Sequence, residues 1–110
     1  MKQYVIDELR PTDYQKLKTF LDDKWGTAEF GGVYWIPLGK DQLGATQTEH
    51  QSCQPFHFAL ELEPTRLSCE LLVRTKKRIR CECIAYANKK QRNWIIGYLD
   101  DILEALSISV

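Results

Sequence analysis

Two histidines and four cysteines carry most of the ligand and nucleophile chemistry in this chain, and several of them cluster. Glu49, His50, Cys53 and His57 fall close together and offer oxygen, nitrogen and sulfur donors of the kinds zinc accepts. They form the candidate ligand or metal site. Structural zinc sites usually contain a Cys-x2-Cys knuckle, which is absent here, so no cofactor is assigned from the sequence. Cys69, Cys81 and Cys83 alternate with Leu67, Leu71 and Ile79 on one strand face. There a thiol packs as a small hydrophobe and stays inert, so core roles as free thiols are expected.

A second chemistry is that of anions. Lys76, Lys77 and Arg78, followed by Lys89, Lys90 and Arg92, crowd into a stretch whose one acid is Glu82. These six cations are the anion-binding candidates, and a basic hairpin at about 74–80 can grip phosphates. The second trio lies at a helix start, against the macrodipole, which hints at an anionic partner. Catalytic candidates are not found. The chain has no nucleophile elbow, phosphate-cradling glycine loop or dinucleotide fingerprint, so an enzyme is not expected.

These side chains need elements to position them. Gln3 to Asp7 reads as a short strand. Pro11 suits a helix start, Tyr14, Leu17, Phe20, Leu21 and Trp25 follow at helical spacing, and Gly26 stops the helix. Val33 to Ile36 reads as a strand buried on both faces. The polar stretch from Gly39 to Pro55 is long for a plain connection, and Thr46-Gln47-Thr48-Glu49 has capping-box spacing.

From about 56 to 86, period-2 alternation predicts a three-stranded antiparallel meander, turning at Glu63-Pro64-Thr65-Arg66 and at Thr75-Lys76-Lys77. Matching the apolar faces pairs Leu60 with Cys69, Leu71 with Cys81 and Cys69 with Cys83, and sets Glu70 opposite Glu82. A last helix is capped by Asn88 with Gln91 three residues on. Its stripe of Ile95, Leu99, Ile102 and Leu106 is flanked by Trp94, Ile96, Tyr98 and Leu103. That face is broader than one sheet contact needs, which makes Trp94, Ile96, Tyr98 and Leu103 the interface candidates.

The fold class is therefore α+β: a two-layer domain spanning 1–110, with an N-terminal β-α-β and the meander packed against helices at about 12–25 and 89–106. At 44% hydrophobic and 27% charged, with neither Pro nor Gly in excess, the chain is globular and not disordered. Fifteen bases cancel fifteen acids, so no global field draws it to polyanions. Asp7 arrives before any apolar run long enough for an export signal, and no run could span a bilayer. A cytoplasmic protein without membrane contact is expected. The leading functional expectation is a non-catalytic protein-interaction module, a homo-oligomer such as a homodimer. The alternative is a small-ligand or metal-binding domain using the 49–57 segment, and the third is weak nucleic-acid binding.

Overall fold

A computed structural model describes residues 2–28 and 30–109. The described chain forms β1 (Gln3–Ile6), α1 (Pro11–Trp25), β2 (Val33–Pro37), α2 (Ala45–Glu49), β3 (Phe56–Glu63), β4 (Arg66–Glu70), β5 (Leu72–Thr75), β6 (Ala85–Tyr86) and α3 (Lys89–Ala105). The expected α+β class holds: the six strands make one antiparallel sheet, accompanied by three helices. Among the described residues no helix is long and apolar enough to cross a membrane.

The helix ends follow from local chemistry. Pro11 opens α1, where its missing N–H breaks no bond, and the Asp13 carboxylate accepts the Arg10 backbone N–H at 3.1 Å. Gly26 ends α1 at φ 81°, in the left-handed region that suits glycine. In α3 the predicted capping box is present in both directions: Gln91 N donates to Asn88 Oδ1 at 2.8 Å, and Asn88 N to Gln91 Oε1 at 3.0 Å. The expected box at Thr46 is displaced. Helix α2 starts from Gly44, whose N–H donates to Gln47 Oε1 at 2.9 Å.

The sheet has four rows. β2 pairs with β3 (Tyr34 with Leu60, Ile36 with Phe58), and the other side of β3 pairs first with β4 and then with β5. Leu60 stands opposite Cys69, as the apolar alternation requires. Beyond that pair the register slips. From Leu60–Cys69 to His57–Arg74, three steps along β3 match five along β4 and β5, so two residues bulge out near Leu71. The fourth row is built from two distant segments laid end to end, β1 on β4 and β6 on β5. They meet at Leu71, whose N–H donates to Lys2 O (3.1 Å) and whose C=O accepts from Ala87 N (2.7 Å).

This topology corrects the meander's third strand. Residues 76–84 form an irregular loop, and only Ala85–Tyr86 pairs, Leu72 with Tyr86 and Val73 with Ala85. The expected pairs Leu71–Cys81, Cys69–Cys83 and Glu70–Glu82 do not form. Glu70 instead lies opposite Gln3 and holds the Arg74 guanidinium, which removes the supposed like-charge conflict. The reason is the bulge: it shifts β5 before the chain reverses, and a long loop follows in place of a tight turn.

Both long helices cover one face of the sheet. Leu17 and Leu21 of α1 and Ile95 of α3 are fully buried with Phe56, Phe58 and Leu60 of β3. Tyr34 O–H donates to Asp22 of α1 and Tyr4 O–H to Asp100 of α3, each at 2.6 Å. Among the described residues no helix covers the other face, to which β2 contributes. Tyr34 and Ile36 point inward while Val33, Trp35 and Pro37 are half-buried outside, so β2 is not buried on both faces. Gly32 is required before β2, since a Cβ there would lie 2.6 Å from Leu62 O.

The broad stripe of α3 finds cover inside the chain. Trp94 stacks on Phe58 at 6.3 Å and on Tyr98 at 5.7 Å, and Trp25 of α1 meets Tyr98 edge-on. Leu103 is buried outright, while Ile96 is half-buried. All four interface candidates are thus engaged in intramolecular packing.

Candidate metal centre

Two short turns, distant in sequence, converge beside the end of β5. The first follows α2. Residues Gln51–Cys53 make a single 3-10 turn in which Cys53 N donates to His50 O at 3.0 Å. That geometry stacks side chains three apart, so His50 and Cys53 project together. The second turn lies in the 76–84 loop, where Ile84 N donates to Cys81 O at 3.0 Å. It brings Cys81 and Cys83 to one side and leaves Glu82 exposed.

The ligand atoms of His50, Cys53, Cys81 and Cys83 all lie within 4.8 Å of one another. A tetrahedral ion with metal–sulfur bonds of about 2.3 Å needs its ligands about 3.8 Å apart, so a small contraction would complete the shell. His50 Nδ1 stands 3.2 Å from Cys81 Sγ, while Nε2 lies 3.3 Å from the Glu82 carboxylate. One ring nitrogen therefore faces the sulfurs and the other an acid. This is the outer-shell arrangement that fixes the tautomer and orientation of a metal-bound histidine.

Buried polar groups hold the cysteine backbones. The Thr75 hydroxyl donates to Cys53 O, and Lys77 N donates back to that hydroxyl at 3.1 Å. Gln47 Nε2 donates to Cys83 O at 3.4 Å. Gln91 Nε2 in turn donates to Gln47 Oε1 (2.8 Å) and Gln42 O (2.9 Å). The first turn of α3 is thereby tied to the cysteine loop.

The thiols are not equivalent. The Cys83 backbone N–H, with help from neighbouring side chains including His50, holds Cys81 below the usual thiol value, at about 7. Burial pushes Cys83 up to about 12. A dication bound among them would override that ordering, because it deprotonates coordinating thiols outright. Cys69 stands apart: fully buried on β4 between β1 and β3, it is pushed up to about 12 by burial and then by Glu70. The core role expected of it stands; Cys83 is also buried in the core and Cys81 packs against it, but both leave the strand they were assigned to.

Of the candidate ligands, His50 and Cys53 belong to this cluster. Glu49 is exposed at the end of α2, and His57 sits on the sheet face away from the helices, edge-on to Trp35 at 6.1 Å. Cys81 and Cys83 take their places. The available signal was Cys81-Glu82-Cys83 itself, but a spacing of two also fits a strand. The anion-binding candidates separate into two groups. Lys76, Lys77 and Arg78 are exposed in the loop before Cys81, while Lys89, Lys90 and Arg92 are exposed at the start of α3, where Lys90 donates to Asp41 O at 2.8 Å.

Three soft sulfurs and one imidazole make a donor set that suits zinc among the common divalent ions. Four such ligands would fill a tetrahedral shell, as in structural centres. Comparison of the chain with known protein families, with curated proteins and with solved structures finds no match in any of the three.

Proposed function

We propose that this chain is a zinc-binding α+β domain in which His50, Cys53, Cys81 and Cys83 hold one structural ion. The observation that carries this reading is the convergence of four donor atoms from two separate turns within 4.8 Å. It is supported by the Glu82 carboxylate behind His50 and by the bonds from Thr75 and Gln47 to the ligand backbones. Zinc here clamps the 76–84 loop onto the turn after α2. The role is architectural, and the domain works by presenting surface, not by chemistry at the metal. The homo-oligomer expected from the sequence has weaker support, since Trp94, Tyr98 and Leu103 are occupied within the chain.

Elemental analysis of protein purified without an affinity tag tests the proposal. The expected result is one zinc per chain, lost in Cys53→Ser and in Cys81→Ser. Glu82→Gln keeps all four ligands but weakens zinc affinity by about tenfold, measured against a chromophoric chelator. Substoichiometric metal in protein expressed with zinc supplied would refute the reading.

A further inference from the structure

Three of the four thiols stand together, and they differ in what can reach them. Cys53 and Cys83 are buried at 3% and 1% exposure, whereas Cys81 is half-buried between exposed Arg80 and Glu82. The three sulfurs lie within 4.8 Å of one another, and none is in a disulfide. A disulfide needs its sulfurs about 2.05 Å apart, so closing that gap takes a shift of under about 3 Å. The moving part is the 76–84 loop, which belongs to no helix or strand. Cys53 is the fixed part: its C=O accepts from the Thr75 hydroxyl and its N–H donates to His50 O. Cys69 is fully buried on β4, outside the cluster.

We infer that the cluster is a thiol switch, in which a hydroperoxide joins Cys81 to Cys53 and expels the ion. The inference rests on the zinc reading above for the ion that is released. Zinc holds both sulfurs as thiolates, the form that attacks. In the first step the half-buried Cys81 thiolate attacks one peroxide oxygen. An S–O bond forms, the O–O bond breaks and hydroxide leaves, so the sulfur is oxidised to sulfenic acid. In the second step the Cys53 thiolate attacks that sulfur. The S–S bond forms, the S–O bond breaks and a second hydroxide leaves. Two thiolates have then given two electrons to one peroxide.

Cys83 is the poorer partner for Cys81. It lies two residues away inside the turn that Ile84 N closes on Cys81 O, and a bridge there would distort the turn. Cys53 meets Cys81 from a separate turn. Once those two are joined, His50 and Cys83 alone remain for zinc, and the ion leaves. The disulfide takes over the clamp on the 76–84 loop.

The test treats zinc-supplied protein with an excess of hydrogen peroxide in the presence of a chromophoric chelator. Metal content measured beforehand decides the zinc reading; the thiols decide the switch. Free thiols should fall from four to two as zinc appears on the chelator. Peptide mapping should find Cys53 joined to Cys81 with Cys69 still reduced, and dithiothreitol should reverse both changes. Cys53→Ser should stop at a Cys81 sulfenic acid that dimedone traps. Cys81→Ser should react several-fold more slowly than chelator-stripped wild type, because its remaining cluster thiols are buried. Circular dichroism checks that both variants fold, and the mapping of the wild type stands without them. Zinc-loaded protein whose thiols and metal survive the peroxide overturns the switch and leaves the zinc reading intact. A bridge to Cys83 or Cys69 in place of Cys53 also overturns it. Zinc-free protein that still forms the Cys53–Cys81 bridge refutes the zinc reading and upholds the thiol chemistry.

Discussion

Three cysteines that look alike in the sequence have separate fates, and what separates them is backbone. Cys69 lies in a paired strand and faces the helices; Cys81 and Cys83 lie in a turn. His50 and Cys53 could be singled out because their spacing resembles a ligand pair and nothing else claimed them. Cys81 and Cys83 could not, because a ligand pair two apart and a strand face two apart have the same period. His57 went the other way. It looked like a ligand, but its place opposite Pro37 and Arg74 commits it to the face away from the helices. Its Nδ1 is buried without a hydrogen bond among the described residues. Burial, then the charge of Lys76, holds its pKa below the usual histidine value. The folded protein thus binds fewer protons here than the unfolded chain. Stability from this group is present above about pH 6.5 and is lost as pH falls from there through the folded value. An NMR titration should place the His57 midpoint below 6.5; a midpoint at or above it would contradict the burial argument.

Elements were readable from sequence wherever one periodicity ran unbroken. The alternation of Phe56, Phe58, Leu60 and Leu62 fixed β3 and its register with β4, because a one-residue slip would have exposed four large side chains. The spacing of Leu17 and Leu21 and of Ile95, Leu99 and Ile102 placed α1 and α3 equally well. Foresight ended at Leu71, since a bulge leaves hydrophobic alternation intact on both sides while changing which residues meet. The polar 39–55 stretch was opaque for another reason: its order comes from amide side chains and not from apolar spacing. Gln91 illustrates this. It caps α3 and also donates to Gln42 O and Gln47 Oε1, so one buried amide joins three segments. Gln91→Ala should lower unfolding free energy by about 3 kcal/mol, because buried acceptors lose their donors. Asn88→Ala, which removes only the cap, should lower it by about 1 kcal/mol. Urea unfolding at an unchanged m-value measures both, and equal losses would show that the network adds nothing to the cap.

At the scale of the molecule the layout is one-sided. Helices and core lie on one face of the sheet, and the radius of gyration of 14.1 Å is a little above the roughly 13 Å of a compact domain this long. The fourth row of that sheet contains a break in the chain: Ala87 and Lys2 are neighbours in space on either side of Leu71. In dynamic terms, the row has a joint where a continuous strand would have none. The β5–β6 half is attached to the cysteine loop, and the β4–β1 half is anchored by Tyr4 to Asp100. β1 and β6, which no chain segment joins directly, can open separately, each with its own local free energy. Leu71 reports on both. If the cysteine cluster holds zinc as proposed, chelator-treated protein, compared with zinc-supplied protein, should show faster amide exchange at Ala87 N, bonded to Leu71 O, with Leu71 N, bonded to Lys2 O, still protected. If both amides accelerate together, the two halves open as one unit. If only Ala87 does, the protein has a single residue on which loss of an ion can be read out while the remainder of the fold stays shut.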